Sequence, residues 1–252
     1  MSHMNEKEMS VYDHIGELRK RLIYVVVFFF IVALGSFFLA EPVILYLQNA
    51  EEAKELTMNA FRMTDPIKIY MQFAFIIALV ISSPFLLYQL WAFISPGLYE
   101  KERKVTLSYI PLSVILFLIG VSFSYFILFP FVVNFMTRLA ERLDINQVIG
   151  INEYFQFLLQ LTLPFGFLFQ LPVIVMFLTR LGIVTPMFLS KIRKFAYFIL
   201  LVIGGLITPP EIISHLMVTV PLFGLYEISI LVSKSAYRKA LKAEMEAANS
   251  IE

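Results

Sequence analysis

Six apolar stretches, residues 22–40, 70–94, 109–132, 154–178, 195–207 and 212–232, alternate with short polar segments along the chain. Most of them reach the roughly 20 residues that a helix needs to cross a hydrocarbon core. The fifth is short, covering only about 20 Å as a helix. Because Thr208-Pro209-Pro210 stops it and Ile212 opens the next run at once, the last two stretches form a tight hairpin. That hairpin either thins the lipid around it or holds a short buried helix, and both readings stay open. The pattern predicts an all-α integral membrane protein with six transmembrane helices, the last two short.

Basic residues sharpen this picture. Of the 20 Lys and Arg residues, roughly three quarters fall in the N-terminal segment, the loop with Lys101, Arg103 and Lys104, the loop from Arg180 to Lys194, and the tail. The intervening loops carry Glu51, Glu52, Glu55, Asp65, Glu141 and Asp144. This alternation puts both termini in the cytoplasm, with Arg19-Lys20-Arg21 holding the start of the first span inside. The first apolar run is too long for a cleaved signal peptide and stays in the protein. Residues 1–4 read as a cloning remnant, 5–232 as one polytopic membrane domain and 233–252 as a cytoplasmic tail.

At 59% hydrophobic residues the chain is too apolar for a soluble domain. The absence of Cys excludes disulfides, thiolate chemistry and Cys-ligated metal. Residues 10–21 predict a short amphipathic helix, on which Glu17 and Arg21 form an ordinary i,i+4 pair on the bland reading. Residues 41–68, opened by Pro42, predict an external cap of short helices, and residues 134–152 a second external segment. Pro84, Pro111, Pro130, Pro164, Pro172 and Pro221 fall in the spans, where each removes a backbone donor and tends to kink or end its helix. Several kinked helices make a curved wall.

Candidate chemistry is sparse. Outside the first residues the histidines are His14 and His215, and neither H-E-x-x-H, G-x-S-x-G nor a glycine-rich phosphate loop is present. No catalytic residues, cofactor, metal or nucleic-acid partner are expected. Polar groups within the apolar runs are Gln89, Gln156, Gln160, Gln170, Thr208, His215 and Glu227, each a functional candidate in lipid. Gln170, beside Leu171-Pro172, gains from a partner across a helix interface or from a carbonyl freed by the proline. Glu227 reads as an interfacial anchor or an internal ion pair, with Lys234 nearby. Glu17 and Glu102 share the cytoplasmic face, where two carboxylates suit two guanidinium groups through bidentate hydrogen bonds.

These motifs converge. His14-Ile15-Gly16-Glu17-Leu18-Arg19-Lys20-Arg21-Leu22, the run from Ser83-Pro84-Phe85 through Ser95-Pro96-Gly97-Leu98-Tyr99 into Glu102-Arg103, Phe169-Gln170-Leu171-Pro172, Thr208-Pro209-Pro210 and Tyr226-Glu227-Ile228 follow in order. The chain thereby resembles the TatC family, the multispanning core subunit of the twin-arginine protein translocase. The resemblance implies a glove-shaped six-helix protein of the inner membrane that recognises twin-arginine signal peptides of folded cargo. It also implies recruitment of single-span partners of the TatA and TatB type, assembly into homo-oligomers, and transport driven by the proton gradient.

By the same resemblance Glu17 and Glu102, with Arg19 and Leu98 beside them, are the signal-peptide site. Gly205, Thr208 and His215 match a patch for partner-helix docking. Pro42, Pro84, Pro172, Pro209 and Pro210 are structural. Gln170 stands where family members commonly carry Glu, and an amide can donate and accept but cannot ionise. The rival from another class is a secondary transporter binding a small polar or ionic solute near Gln160, Gln170 and His215.

Overall fold

The computed structural model of the chain describes residues 11–50, 58–95, 107–208 and 212–249. Glu102, Leu98, Pro209 and Pro210 lie outside the described residues. Helix α1 (Val11–Gln48) is continuous for 38 residues. The expected amphipathic helix and first span are therefore one element, and Pro42 sits inside it rather than opening an external loop. A proline frees only one carbonyl of the preceding turn, and with no water in lipid to compensate a longer break, the rest of the helix keeps its bonds. The helix stops where Asn49 donates its Nδ2 to the Leu45 carbonyl at 2.7 Å.

Helix α2 (Asp65–Ile94) returns antiparallel to α1, with Pro66 in its first turn and Pro84 inside. Three contacts set the pairing: Phe28 against Phe85 at 4.4 Å, Phe29 against Phe75 at 5.3 Å, and Tyr70 donating its hydroxyl to the Phe37 carbonyl at 2.6 Å. Only 6% of the most apolar window of α1 is buried in the protein, against 22% for α2, 33% for the third span and 44% for each of the last two long spans. Its remaining surface, including Leu34 and Phe38, is apolar and suits lipid.

The third span is longer than the apolar run predicts. Helix α3 (Tyr109–Phe123), a π-helical turn (Ser124–Leu128) and helix α4 (Phe129–Arg142) follow without a break. The second external segment thus begins after Arg142 and not at Asn134. Pro130 lies in the first turn of α4, so its missing N–H and its ring fall against the π-turn, where the ladder is already widened.

Two strands were not expected from the sequence. β1 (Met58–Asn59) pairs in parallel with β2 (Ile149–Gly150), joining the two segments expected on the outer face.

The fourth span is broken. Helix α5 (Ile151–Leu168) ends before Phe169, and helix α6 (Leu171–Arg180) begins with Pro172 in its first turn. The proline ring needs the space of the carbonyl four residues back, at Leu168, so the helix yields there. Glycines let α3 and α5 approach closely: a Cβ on Gly120 would lie 2.6 Å from the Phe165 carbonyl oxygen.

Helix α7 (Pro186–Lys191) leads into helix α8 (Arg193–Ile207), whose 15 residues bear out the short fifth stretch. Helix α9 (Ile212–Asn249) is not short, at 38 residues, and carries Pro221 inside. Residues expected as a tail extend it because Ala, Lys, Glu and Leu dominate after Val232, with neither Pro nor Gly to stop them. Five helical stretches, Ile15–Gln48, Asp65–Phe93, Tyr109–Arg142, Ile151–Arg180 and Ile212–Lys239, have the length and hydropathy to cross a membrane. The core gathers around α5, where Phe155, Leu161 and Phe165 are fully buried beside Leu128 and Phe129.

Candidate functional site

At the end where α1 begins and α2 finishes, Glu17 is one turn before Arg21. Arg21 donates its Nε to Glu17 Oε1 at 3.0 Å and its Nη2 to the same oxygen. Its Nη1 reaches across to Gln89 Oε1 on α2 at 3.2 Å. The bland i,i+4 pair therefore exists, but it is part of a bridge between two helices. Glu17 and Arg21 side chains are 24% and 23% exposed, so the carboxylate remains reachable. An i,i+4 pair of this exposure is worth about 0.3–0.5 kcal/mol, little enough for an arriving cation to displace.

Arg19 is exposed next to this bridge, and Lys20 lies 5.9 Å from the ring centre of Tyr24. Tyr88 and Trp91 pack at 5.8 Å to close the end of α2 with an aromatic face. The other proposed carboxylate, Glu102, is outside the described residues, so the separation of the two acids is not described.

In the middle of the molecule Gln170 occupies the α5–α6 break. Its Oε1 accepts from the Ser113 hydroxyl and its Nε2 donates to the Ser113 carbonyl at 3.0 Å. The partner is across a helix interface and not a carbonyl freed by Pro172. A carboxylate at position 170 would set acceptor against acceptor on the Ser113 carbonyl, so the amide fits this arrangement in a way that an ionised Glu does not. Sequence reasoning missed Ser113, because a lone serine in an apolar run looks like any other small residue.

The α8–α9 hairpin brings together two of the three residues expected as a docking patch. A Cβ on Gly205 would lie 3.2 Å from His215 Cε1, and one on Gly204 3.2 Å from Thr219 Oγ1. Thr208 turns inward, its hydroxyl donating to the Gly204 carbonyl at 2.9 Å. Gln160 is exposed on α5, while Gln170 and His215 have separate surroundings, so the three do not converge on a solute.

Glu227 does not pair with Lys234. Its Oε2 accepts from Arg193 Nη2 at 3.1 Å, its Oε1 from the Tyr197 hydroxyl, and Arg193 Nε stands 2.9 Å from Oε1 as a charge contact off the hydrogen-bonding axis. This cluster ties α8 to α9. The sequence carried a hint, since Arg193 stands just before the short fifth stretch and Tyr197 follows one turn later.

Comparison with known proteins agrees with this layout. The sequence model of the family described as Sec-independent protein translocase protein (TatC) matches residues 13–221. The chain is 69% identical over 243 residues to Sec-independent protein translocase protein TatCy of Bacillus subtilis (strain 168), covering 96% of each chain. It is 63% identical over 241 residues to the TatC protein of Halalkalibacterium halodurans, covering 96% of this chain and 95% of the relative. A crystal structure described as Twin Arginine Translocase Receptor TatC superposes with a TM-score of 0.74 at 32% identity, over 88% of this chain and 99% of that one. With matched helices, matched length and identity at this level, the chain belongs to the TatC family of Sec-independent protein translocase proteins.

Proposed function

We propose that this protein is the multispanning subunit of the twin-arginine translocase, which binds the signal peptide of folded cargo and recruits single-span partners for export. It acts as a transport component and not as an enzyme. Both termini face the cytoplasm, the membrane is the inner membrane, and α8 serves as a sixth, short span beside the five long ones. The single observation that carries the peptide site is the Arg21 guanidinium held between Glu17 and Gln89: this corner of α1 and α2 already binds the chemical group that the cargo presents. In use, Glu17 exchanges its internal arginine for one of the pair in the peptide, Glu102 takes the other, and Arg19 and Leu98 border the site.

The break at Phe169-Gln170 and the prolines inside α1, α2, α5 and α9 support a curved, glove-like wall that receives the apolar part of the peptide. Gly205 and His215, with Thr208 buried behind them, mark the face where a TatA-type or TatB-type helix docks. The subunit works as one of several copies in a larger complex.

Site-specific photocrosslinking tests the reading. Glu17→Ala and Glu102→Ala each reduce the crosslink to a twin-arginine peptide by about ten-fold or more, and leave the weak crosslink to a twin-lysine control nearly unchanged, because a lysine lacks the planar fork. Equal losses for both peptides contradict guanidinium recognition.

A further inference from the structure

Helix α9 has two faces near its charged end. One packs on α6, where Ser233 and Ala236 are buried and the Ser233 and Thr179 hydroxyls meet at 2.7 Å. Opposite lie Leu231, Lys234, Ser235, Arg238 and Lys239, spaced to share a single side of the helix. All five are exposed, and together they line an open, shallow depression along this side of the helix. Lys234, Arg238 and Lys239 have no hydrogen-bond or ion-pair partner among the described residues. The acid nearest along this side, Glu227, is occupied by Arg193 and Tyr197.

Towards the middle of the span the same side is apolar and open. Leu231 is 62% exposed, and a Cβ on Gly224 would meet nothing within 4 Å. Val220, Leu216 and Ile213 continue the stripe, all more than half exposed. Gly224 lies about 15 Å from Lys234 along the axis, which is the hydrocarbon depth of one leaflet. A soluble acidic peptide satisfies the cations and leaves this apolar stripe unused. A molecule with one phosphate and a long apolar chain fits both parts.

We infer that this end of α9 is a binding site for an anionic phospholipid. Lys234 and Arg238 hold the phosphate, Ser235 donates its hydroxyl to it, Lys239 adds charge at the outer edge, and one acyl chain lies along Leu231 to the Gly224 notch. This site is separate from the peptide site proposed for the α1–α2 corner.

Native mass spectrometry of the full chain, released from mixed micelles of phosphatidylglycerol and phosphatidylcholine, tests the site. Wild type retains phosphatidylglycerol over phosphatidylcholine by about ten-fold, and the triple variant Lys234→Gln, Arg238→Gln, Lys239→Gln loses most of that preference. Lys191→Gln with Lys194→Gln, exposed cations on α7 and α8, keeps it. Glycerol phosphate in excess does not displace the lipid. Unchanged preference in the triple variant, an equal loss in the α7–α8 control, or displacement by glycerol phosphate overturns the proposal. Gly224→Leu fills the notch without touching a neighbour, so it lowers lipid retention while leaving the melting temperature in phosphatidylcholine unchanged; undiminished retention refutes the placement of the chain.

Discussion

Arg21 and Arg193 each hold a glutamate, but Arg21 reaches back four residues along its own helix, whereas Arg193 crosses the α8–α9 hairpin to a glutamate 34 residues away. A pair within one turn adds little to a helix that lipid already stabilises, so it can be exchanged for an outside ligand at small cost. A pair between elements fixes how those elements sit. The Tyr197 hydroxyl on Glu227, and the stacking of Tyr197 on Phe223 at 4.4 Å, make the second pair a clamp. Similar chemistry thus serves recognition in one corner and positioning in the other, and connectivity decides which.

The largest effect expected from breaking this contrast is on stability. Glu227→Gln removes the charge from a hydrogen-bonded cluster and costs about 1 kcal/mol, a fall of roughly 2–4 °C in melting temperature by a thermal unfolding assay in detergent. Signal-peptide affinity stays at the wild-type value, and a parallel collapse of affinity would erase the distinction between the two corners. A smaller change of opposite sign is expected at the other pair. Arg21→Gln leaves Glu17 without its internal guanidinium and raises affinity for a twin-arginine peptide by about two-fold in a fluorescence titration, the value of an exposed i,i+4 pair. Reduced affinity there means that Arg21 is part of the binding surface and not a placeholder. An effect of similar size belongs to Gln89→Leu, which removes the bond between α1 and α2 and lowers stability by about 0.5 kcal/mol, with peptide selectivity for arginine over lysine preserved in the same titration.

Much of the layout is legible in the chain because lipid imposes simple demands: a long apolar run must be helical, and its polar groups must find partners. The ends of helices are less legible. Pro42 reads as a boundary but lies inside α1, since a single lost bond does not end a helix that has no water to turn to. The stretch after Val232 reads as a tail but continues α9, on helix propensity and on the packing of Ser233 and Ala236 against α6. Distant pairing is hardest to see. Gln170 was recognisable as a group in need of a partner, but Ser113 is 57 residues earlier, and nothing local distinguishes it. Lys234, the nearer cation, was the obvious partner for Glu227 until the hairpin brought Arg193 closer. The two-residue strands at Met58 and Ile149 carry too little pattern to be predicted.

The π-turn at Ser124–Leu128 has a bearing on how the third span tolerates change. Such a turn holds one residue more than the α-helical path it replaces. That surplus keeps Phe117 and Gly120, before the turn, aimed at α5 as Phe129 is after it. Shortening the chain by one residue within the turn returns it to a regular spiral with both contact surfaces still aligned, whereas the same deletion anywhere else in the span rotates one half away from its partner by about a quarter of a revolution.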